Sequence, residues 1–137
     1  MGLESNAVML ATDVTLNASA KTFTVPATEQ WRIDSVGVNF ASTASVGNRR
    51  VAVIITTDAD VQVAASISGV DHTASLTWDY TFAHDLARDA SVVELNVGAP
   101  LPRSKIPAGY KIVVKDLAAV DAAADDMKVY IMGENVP

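Results

Sequence analysis

The chain has 137 residues, a formal net charge of −6 and no cysteine, and half of its residues are hydrophobic although only 6% are aromatic. This length fits one domain that buries about two thirds of its unfolded surface, and the composition excludes a disordered chain, a coiled coil and a collagen. The acidic balance argues against binding to nucleic acid or to an anionic membrane, and no apolar run approaches the roughly 18 residues of a spanning helix. Disulfide and thiolate chemistry are excluded, which favours synthesis in a reducing cytoplasm.

Residues 1–20 form a distinct N-terminal segment that is apolar but lacks the basic start of a secretory signal. An exposed apolar terminus is commonly covered by a partner or by a neighbouring subunit. The segment is therefore interpreted either as an arm that faces a partner or as the first strand of the domain, with residues 21–137 forming a single β-sandwich. Its apolar side chains are the candidate partner-binding residues: Val8, Met9, Leu10, Val14 and Leu16.

Apolar and polar residues alternate with a period of two along most of the chain, which predicts β-strands. A first alternating run, 21–25, ends at Pro26, because proline cannot donate to a strand ladder. The next run, 30–40, changes parity in its middle. This change predicts a β-bulge near Asp34-Ser35, which re-aims the side chains that follow.

Three further runs form the centre of the sequence. Residues 50–57 are β-branched and almost continuously apolar, which predicts a central strand buried on both faces. Residues 61–67 carry apolar side chains at every second position, on one predicted face: Val61, Val63, Ala65 and Ile67. Residues 76–82 alternate throughout and place three aromatic side chains together: Trp78, Tyr80 and Phe82. This aromatic row is predicted to face the core, and the alternative is an exposed platform for a sugar.

The last third of the chain mixes strands with turns. Strands are predicted over 91–97, 110–115 and 127–132, and the alanine-rich stretch 117–124 is compatible with a short helix. The total is about eight or nine short strands with regular turn signals, which predicts an all-β fold, an antiparallel β-sandwich. The predicted core consists of apolar residues that recur at period two within strands: Val51, Val53, Ile55, Trp78, Tyr80, Phe82, Ile112 and Val114.

The histidines give little support for catalysis, and the chain is predicted not to be an enzyme and to need no cofactor. His72 and His84 both fall in predicted loops, where a position on the surface is the default. Ser75, His84 and Asp79 supply the side chains of a hydrolytic triad, but the sharp turn that exposes a nucleophilic serine is missing. The histidine spacing also lacks the patterns of zinc sites.

Carboxylates cluster at two places. Asp58 and Asp60 have the spacing that begins many calcium loops, but the glycine and the terminal Glu of an EF-hand do not follow. Asp121 with Asp125 and Asp126 is a second group of oxygen donors. Because aspartate side chains commonly cap the backbone of turns, no metal site is predicted at either place.

Four parts of the sequence are similar, as a set, to one protein family. They are Trp31–Val36, Val46–Val51, Leu101-Pro102 with Ile106–Ile112, and Asp116 with Ala119–Met127. This set resembles the capsid cement, or decoration, proteins of tailed double-stranded DNA bacteriophages over about Trp31 to Tyr130. The resemblance implies a jelly-roll fold and no catalytic residues.

The resemblance further implies a structural virion protein that is made in the bacterial host cytoplasm. Such a protein binds the major capsid protein lattice on the outside of the head and stabilises the shell. The high apolar fraction of this small chain predicts self-association, with a homodimer favoured over a homotrimer. The alternative is a carbohydrate- or receptor-binding jelly-roll module of a phage fibre, in which the aromatic face of 76–82 is exposed.

Overall fold

The computed structural model describes residues 7–136, and these fold into ten β-strands with no helix among them. The all-β class predicted from the period of two is confirmed. The strands are β1 (Val8–Asp13), β2 (Lys21–Thr24), β3 (Trp31–Ala41), β4 (Val51–Thr56), β5 (Gln62–Ile67), β6 (Thr77–Ala83), β7 (Asn96–Pro100), β8 (Lys105–Ile106), β9 (Lys111–Asp116) and β10 (Asp126–Asn135).

The strands form two sheets packed around one core. One sheet has the order β1-β10-β3-β6-β7, with β8 paired to the start of β3, and the other has the order β2-β9-β4-β5. Without β7 and β8 this is the strand order of an eight-stranded jelly roll. Within residues 7–136, β6 and β7 are parallel and every other strand pair is antiparallel. The predicted jelly-roll-like sandwich is confirmed, with two additional short strands.

The predicted core side chains lie between the two sheets. Seven of them are buried, and Trp78 is partly buried against them. β4 is buried along most of its length because it lies between β9 and β5, as its continuous apolar character predicts. The aromatic row of β6 therefore faces the core, and no sugar platform is formed on that strand.

β3 contains the bulge that its change of parity predicts. Ile33 pairs with Gly133 and Ser35 pairs with Met132, so Asp34 is the extra residue of the bulge. The two backbones approach so closely that a Cβ atom at position 133 would collide with the carbonyl oxygen of Arg32. Glycine at this position therefore allows β10 to follow the bend of β3.

Two predictions in the last third of the chain are wrong. The stretch 117–124 forms turns, because Ala119 has a φ of 49° and thus a left-handed conformation that a helix cannot include. The strand predicted over 91–97 begins only at Asn96. Glu94 and Leu95 both have positive φ and form a tight turn that joins Val93 to Asn96.

The prediction that 61–67 presents one apolar face is also wrong. Ile55 pairs with Ala64 whereas Thr56 pairs with Gln62, so Val63 is the extra residue of a second bulge. Ala65 and Ile67 point away from the core, opposite to Ala64 and to the buried Ser66. The alternating pattern was correct for a strand but did not show that its apolar side chains face outward.

Candidate functional site

Four loops of seven to nine residues lie together at one end of the sandwich. They connect β1 to β2 (14–20), β3 to β4 (42–50), β5 to β6 (68–76) and β9 to β10 (117–125). The strand register explains this arrangement, since Ala41 at the end of β3 pairs with the first residues of both β6 and β10. This end of the molecule is referred to below as the Arg49 end, after the arginine at its centre.

Arg49 is completely buried and uses its guanidinium group to join two loops. Its Nε donates to Oδ2 of Asp125 at 2.6 Å and its Nη2 to Oδ1 at 3.3 Å. Nη1 and Nη2 also donate to the carbonyl oxygens of Gly47 and Ser45, each at 3.0 Å. Both partners of this salt bridge are fully buried. Such a pair tolerates burial only when its charges are matched and hydrogen-bonded, as they are here.

The aspartates of the 117–125 loop hold the 42–50 loop in place. Oδ1 of Asp125 accepts from the backbone N–H of Thr43 at 2.7 Å. Oδ2 of Asp121 accepts from the hydroxyls of Thr43 and Ser45, and these hydrogen bonds lower the pKa of the Asp121 carboxyl. The two carboxylates are thus occupied by protein donors. Among residues 7–136, no three or more carboxylate, histidine or cysteine side chains are grouped as metal ligands.

The other aspartate pair, at the opposite end, is also engaged in local structure. Asp60 has a φ of 64° in the turn between β4 and β5 and accepts from Nζ of Lys111 at 2.6 Å. Its neighbour Asp58 is exposed. This arrangement is that of an aspartate in a tight turn, where the left-handed conformation is least costly for Asp, Asn and Gly.

His72 is fully buried, and the prediction of a surface position for it is wrong. Its ring lies 4.7 Å from that of Phe40 and 4.6 Å from that of Trp78, between centroids. Nε2 lies 2.9 Å from the carbonyl oxygen of Leu76, which can only accept, so Nε2 carries the proton. Nδ1 accepts from the hydroxyl of Tyr80 at 2.8 Å. Burial lowers the pKa of His72 and keeps the imidazole neutral.

Backbone pairing, which no sequence pattern predicts, holds the loop of His72 in its buried position. The backbones of Arg49 and His72 exchange two hydrogen bonds of 2.9 Å, which fix the 68–76 loop against the 42–50 loop. His84, by contrast, is about half exposed and lies 3.0 Å from Asp85. Ser75 precedes β6 and His84 follows it, so the residues of the hypothetical triad are separated by the length of that strand.

Two more buried charges hold loops of the Arg49 end. Nζ of Lys21, which is 3% exposed, donates to the carbonyl oxygen of Thr15 at 3.0 Å and lies 3.6 Å from Asp13. Oδ1 of the buried Asp116 accepts from the backbone N–H groups of Arg50 and Ala118, each at 3.0 Å. Each of these charges binds backbone groups of a loop rather than an external ligand.

The candidate residues of the N-terminal segment are divided between two places. Val8–Asp13 pairs with β10 and forms the edge strand of the six-stranded sheet, where Val8 and Met9 are exposed and Leu10 packs against the core. Val14 and Leu16 lie in the β1–β2 loop of the Arg49 end and are also exposed. Residues 1–6 of this segment, like Pro137, lie outside the described residues.

The opposite end contains an apolar cleft of about 260 Å³ between β5 and the segment around β8. Most of its lining residues are apolar, and Lys105 and Ser104 also line it. The principal lining residues are Ile55, Val63, Ala64, Ile106, Pro107 and Tyr110. Val63, the extra residue of the second bulge, is one of these lining residues.

No family model matches the chain, and a search of curated proteins and a search of solved structures found no match. Within the part of the chain that the structure describes, no helix is long and apolar enough to cross a membrane. The described residues form a jelly roll in which buried charges hold the loops of the Arg49 end.

Proposed function

We propose that the protein is a cement, or decoration, protein that binds the outside of a tailed-phage head and stabilises the capsid shell. The observation that carries this proposal is the group of exposed apolar side chains on the Arg49 end: Val14, Leu16, Val46 and Leu117. These side chains stand on loops that buried charges hold to the sandwich. Exposed apolar groups on a rigid base are typical of surfaces that bind other proteins.

The family resemblance supports the same end of the molecule. Two of the stretches that carry it, Val46–Val51 and Asp116 with Ala119–Met127, meet in space through the Arg49–Asp125 salt bridge. The fold alone does not select a function, because jelly rolls host many. The stretches that resemble the cement proteins include loops that carry exposed apolar side chains. This overlap favours attachment to a capsid over the alternative of a fibre module.

Self-association is part of the proposal, with a homodimer favoured. The outer face of the four-stranded sheet has a row of apolar side chains in register, in which Ile54 lies between Val113 and Ala65. Ile67 lies on the same face of β5 as Ala65, pairs with Ala52, and is 38% exposed. A dimer formed through this face leaves both Arg49 ends accessible, and two weak attachments then add to a durable one.

The function is tested with phage heads that lack the protein. Purified protein is mixed with such heads, the heads are sedimented, and the bound copies are counted. We expect saturable binding and heads that withstand a higher temperature, whereas an unrelated acidic β-sandwich of similar size has neither effect. Absence of binding at tens of micromolar protein contradicts the function.

The dimer is tested separately by sedimentation velocity over a range of concentrations. We expect the wild type to show a concentration-dependent dimer and Ile54→Lys to shift the distribution to monomer. A wild-type protein that remains monomeric at tens of micromolar contradicts the dimer in solution but not the attachment to heads.

A further inference from the structure

We infer that the outer face of the four-stranded sheet carries a binding site for the phosphate group of a small, soluble phosphate monoester, formed around Arg50 and Arg88. The site is complete within one chain, and it depends neither on attachment to heads nor on the dimer. Three features of the described residues lead to it: a depression lined by two arginines, the contacts that hold those arginines, and a backbone N–H group that lacks a partner.

The depression has a volume of about 350 Å³ and lies beside the last residues of β5. Two of its six lining residues are arginines and none is acidic: Arg50, Ala65, Ile67, Ser68, Gly69 and Arg88. Arg50 immediately precedes β4, whereas Arg88 lies in the connection between β6 and β7. The fold therefore brings together two cations that are far apart in the sequence.

Both guanidinium groups are held by the backbone at the end of β5. Nε of Arg88 donates to the carbonyl oxygen of Ile67 at 2.8 Å, and Nη1 of Arg50 donates to that of Ser68 at 3.2 Å. The two acceptors belong to consecutive residues, whose Cα atoms are about 3.8 Å apart, so the two positive charges are held near each other. Like charges at short range repel, and an anion that contacts both offsets this repulsion.

Gly69 sets the position of Arg88 and supplies a further donor. A Cβ atom at position 69 would lie 2.6 Å from the carbonyl oxygen of Asp89 and 2.9 Å from Cγ of Arg88, so glycine is required for this close packing. The backbone N–H of Gly69 has no hydrogen-bond partner within residues 7–136. A backbone N–H group beside guanidinium groups is a set of donors that commonly binds phosphate oxygens.

The carboxylates near the depression already accept hydrogen bonds, whereas Arg88 retains unused donors. Oδ1 of Asp71 accepts from Nε of Arg50 at 2.7 Å, and Oδ2 of Asp89 accepts from the N–H of Gly98 at 2.7 Å. Arg88 is exposed and forms no salt bridge with any residue that the structure describes; its one hydrogen bond there is made by Nε. Its two Nη groups are therefore available to a ligand from solvent.

The charge of the surrounding face favours a small anion. Lys115 lies on this outer face two strands away, since Ala52 pairs with both Lys115 and Ile67. The local excess of cations attracts an anion, but the net charge of −6 on the whole chain repels a long polyanion such as nucleic acid. An arginine fork matches two oxygens of a phosphate, and the other oxygens of the tetrahedron accept donors from other directions. A planar carboxylate offers fewer acceptors to such a set.

The site is tested by titrating the ¹⁵N-labelled protein with glycerol 3-phosphate at constant ionic strength. The amide signal of Gly69 and the Nε–H signals of the arginines report binding at this position. We expect the Gly69 signal to shift to saturation with a Kd of about 0.1–5 mM. Acetate should bind at least about fivefold more weakly, because it offers only two oxygens.

Arg88→Gln is compared with Arg103→Gln, since Arg103 is also exposed but lies before β8 and pairs with Asp34. We expect Arg88→Gln to weaken binding of glycerol 3-phosphate at least about tenfold and Arg103→Gln to change it by less than about twofold. Arg88→Lys keeps the charge without the fork and should restore only part of the affinity. All three variants should keep the melting temperature of the wild type.

Vesicles that contain phosphatidic acid, whose headgroup is a phosphate monoester, distinguish a soluble ligand from a lipid. We expect no sedimentation with such vesicles, because an anionic membrane repels a chain of net charge −6. Binding to the vesicles that Arg88→Gln abolishes would overturn the assignment to a soluble ester.

Ala65 and Ile67 also belong to the face proposed for the dimer, so the titration is repeated with Ile54→Lys, in which that face is uncovered. The same Gly69 shift is expected. Absence of this shift in both proteins up to about 20 mM glycerol 3-phosphate contradicts the site. Equally tight binding of acetate contradicts the preference for phosphate, and equal effects of Arg88→Gln and Arg103→Gln contradict the position. None of these measurements involves heads, so their failure leaves the cement function standing, and absence of binding to heads leaves the phosphate site standing.

Discussion

The strand connections at the two ends of the sandwich are stabilised in different ways. At the end opposite Arg49 the connections are closed by local backbone hydrogen bonds, such as that from Asp60 to Thr57, and by residues with positive φ, such as Gly109. At the Arg49 end four loops have seven to nine residues, and buried Arg49, Lys21 and Asp116 bind the backbones of these loops. A short turn is held by hydrogen bonds within its own backbone. A longer loop with exposed apolar side chains requires a buried side chain that binds its backbone. The predictions below test that difference, from the largest expected effect to the smallest.

The largest effect is expected from the two adjacent arginines. Arg49→Met leaves the carboxylate of Asp125 buried without its counter-charge, and we expect a loss of about 3–5 kcal/mol in the free energy of unfolding. Arg50→Met removes a partly exposed salt bridge with Asp71 and should cost no more than about 1 kcal/mol. Urea denaturation of the two variants beside the wild type measures both values.

A double variant tests the reason for the Arg49 effect. Arg49→Met combined with Asp125→Asn removes the uncompensated charge, so it should recover part of the stability lost by Arg49→Met alone. If the double variant is less stable than the single one, the loss does not come from the buried carboxylate. Equal effects of Arg49→Met and Arg50→Met would show that the buried salt bridge contributes no more to stability than the partly exposed one.

A smaller effect is expected from the pH dependence of His72. Its pKa in the folded protein is lowered, so below about pH 6.5 the unfolded chain binds a proton that the folded protein excludes. Stability should therefore be constant above about pH 6.5 and fall between about pH 6.5 and 5, by up to about 1.4 kcal/mol per pH unit. Unfolding free energies measured across this range provide the test.

The second histidine provides the matched control. His72→Gln should remove the slope between about pH 5 and 6.5, while His84→Gln, at a half-exposed position, should leave it in place. A slope that persists in His72→Gln would assign the pH dependence to another group.

The smallest effect is expected from two serines on the same side of β5 and the loop that follows it. Oγ of Ser66 is buried and has no hydrogen-bond partner among the described residues, so Ser66→Ala should stabilise the protein by about 1 kcal/mol. Ser68 is equally buried, but its Oγ accepts from the N–H of Val70 at 3.2 Å. Ser68→Ala should therefore destabilise by about 1 kcal/mol. Thermal unfolding of both variants shows whether the contribution of a buried serine to stability depends on the hydrogen bonding of its hydroxyl or on burial alone.

Local patterns predicted those parts of the fold that depend on near neighbours in sequence. The aromatic row of β6, the buried run of β4 and the bulge at Asp34 were all visible as alternation, or as its interruption. The alternation of β5 was also visible, but a period of two does not reveal which of the two faces meets the core. The left-handed turn at Glu94 and Leu95 was missed because neither residue is a glycine or an asparagine, the usual signals for it.

The sequence by itself determined that this chain is an acidic, cysteine-free β-sandwich with strands of known approximate position, because strand periodicity and turn residues act over a few residues. Only the tertiary structure decided that Arg49 pairs with Asp125, 76 residues away, and that His72 is buried beside them. Two adjacent arginines in a loop are typical of a solvated basic pair. Their spacing does not indicate that Arg49 is buried while Arg50 is partly exposed. The separation arises because the jelly roll brings the loops before β4, before β6 and before β10 to the same end, where one side chain points inward and its neighbour outward.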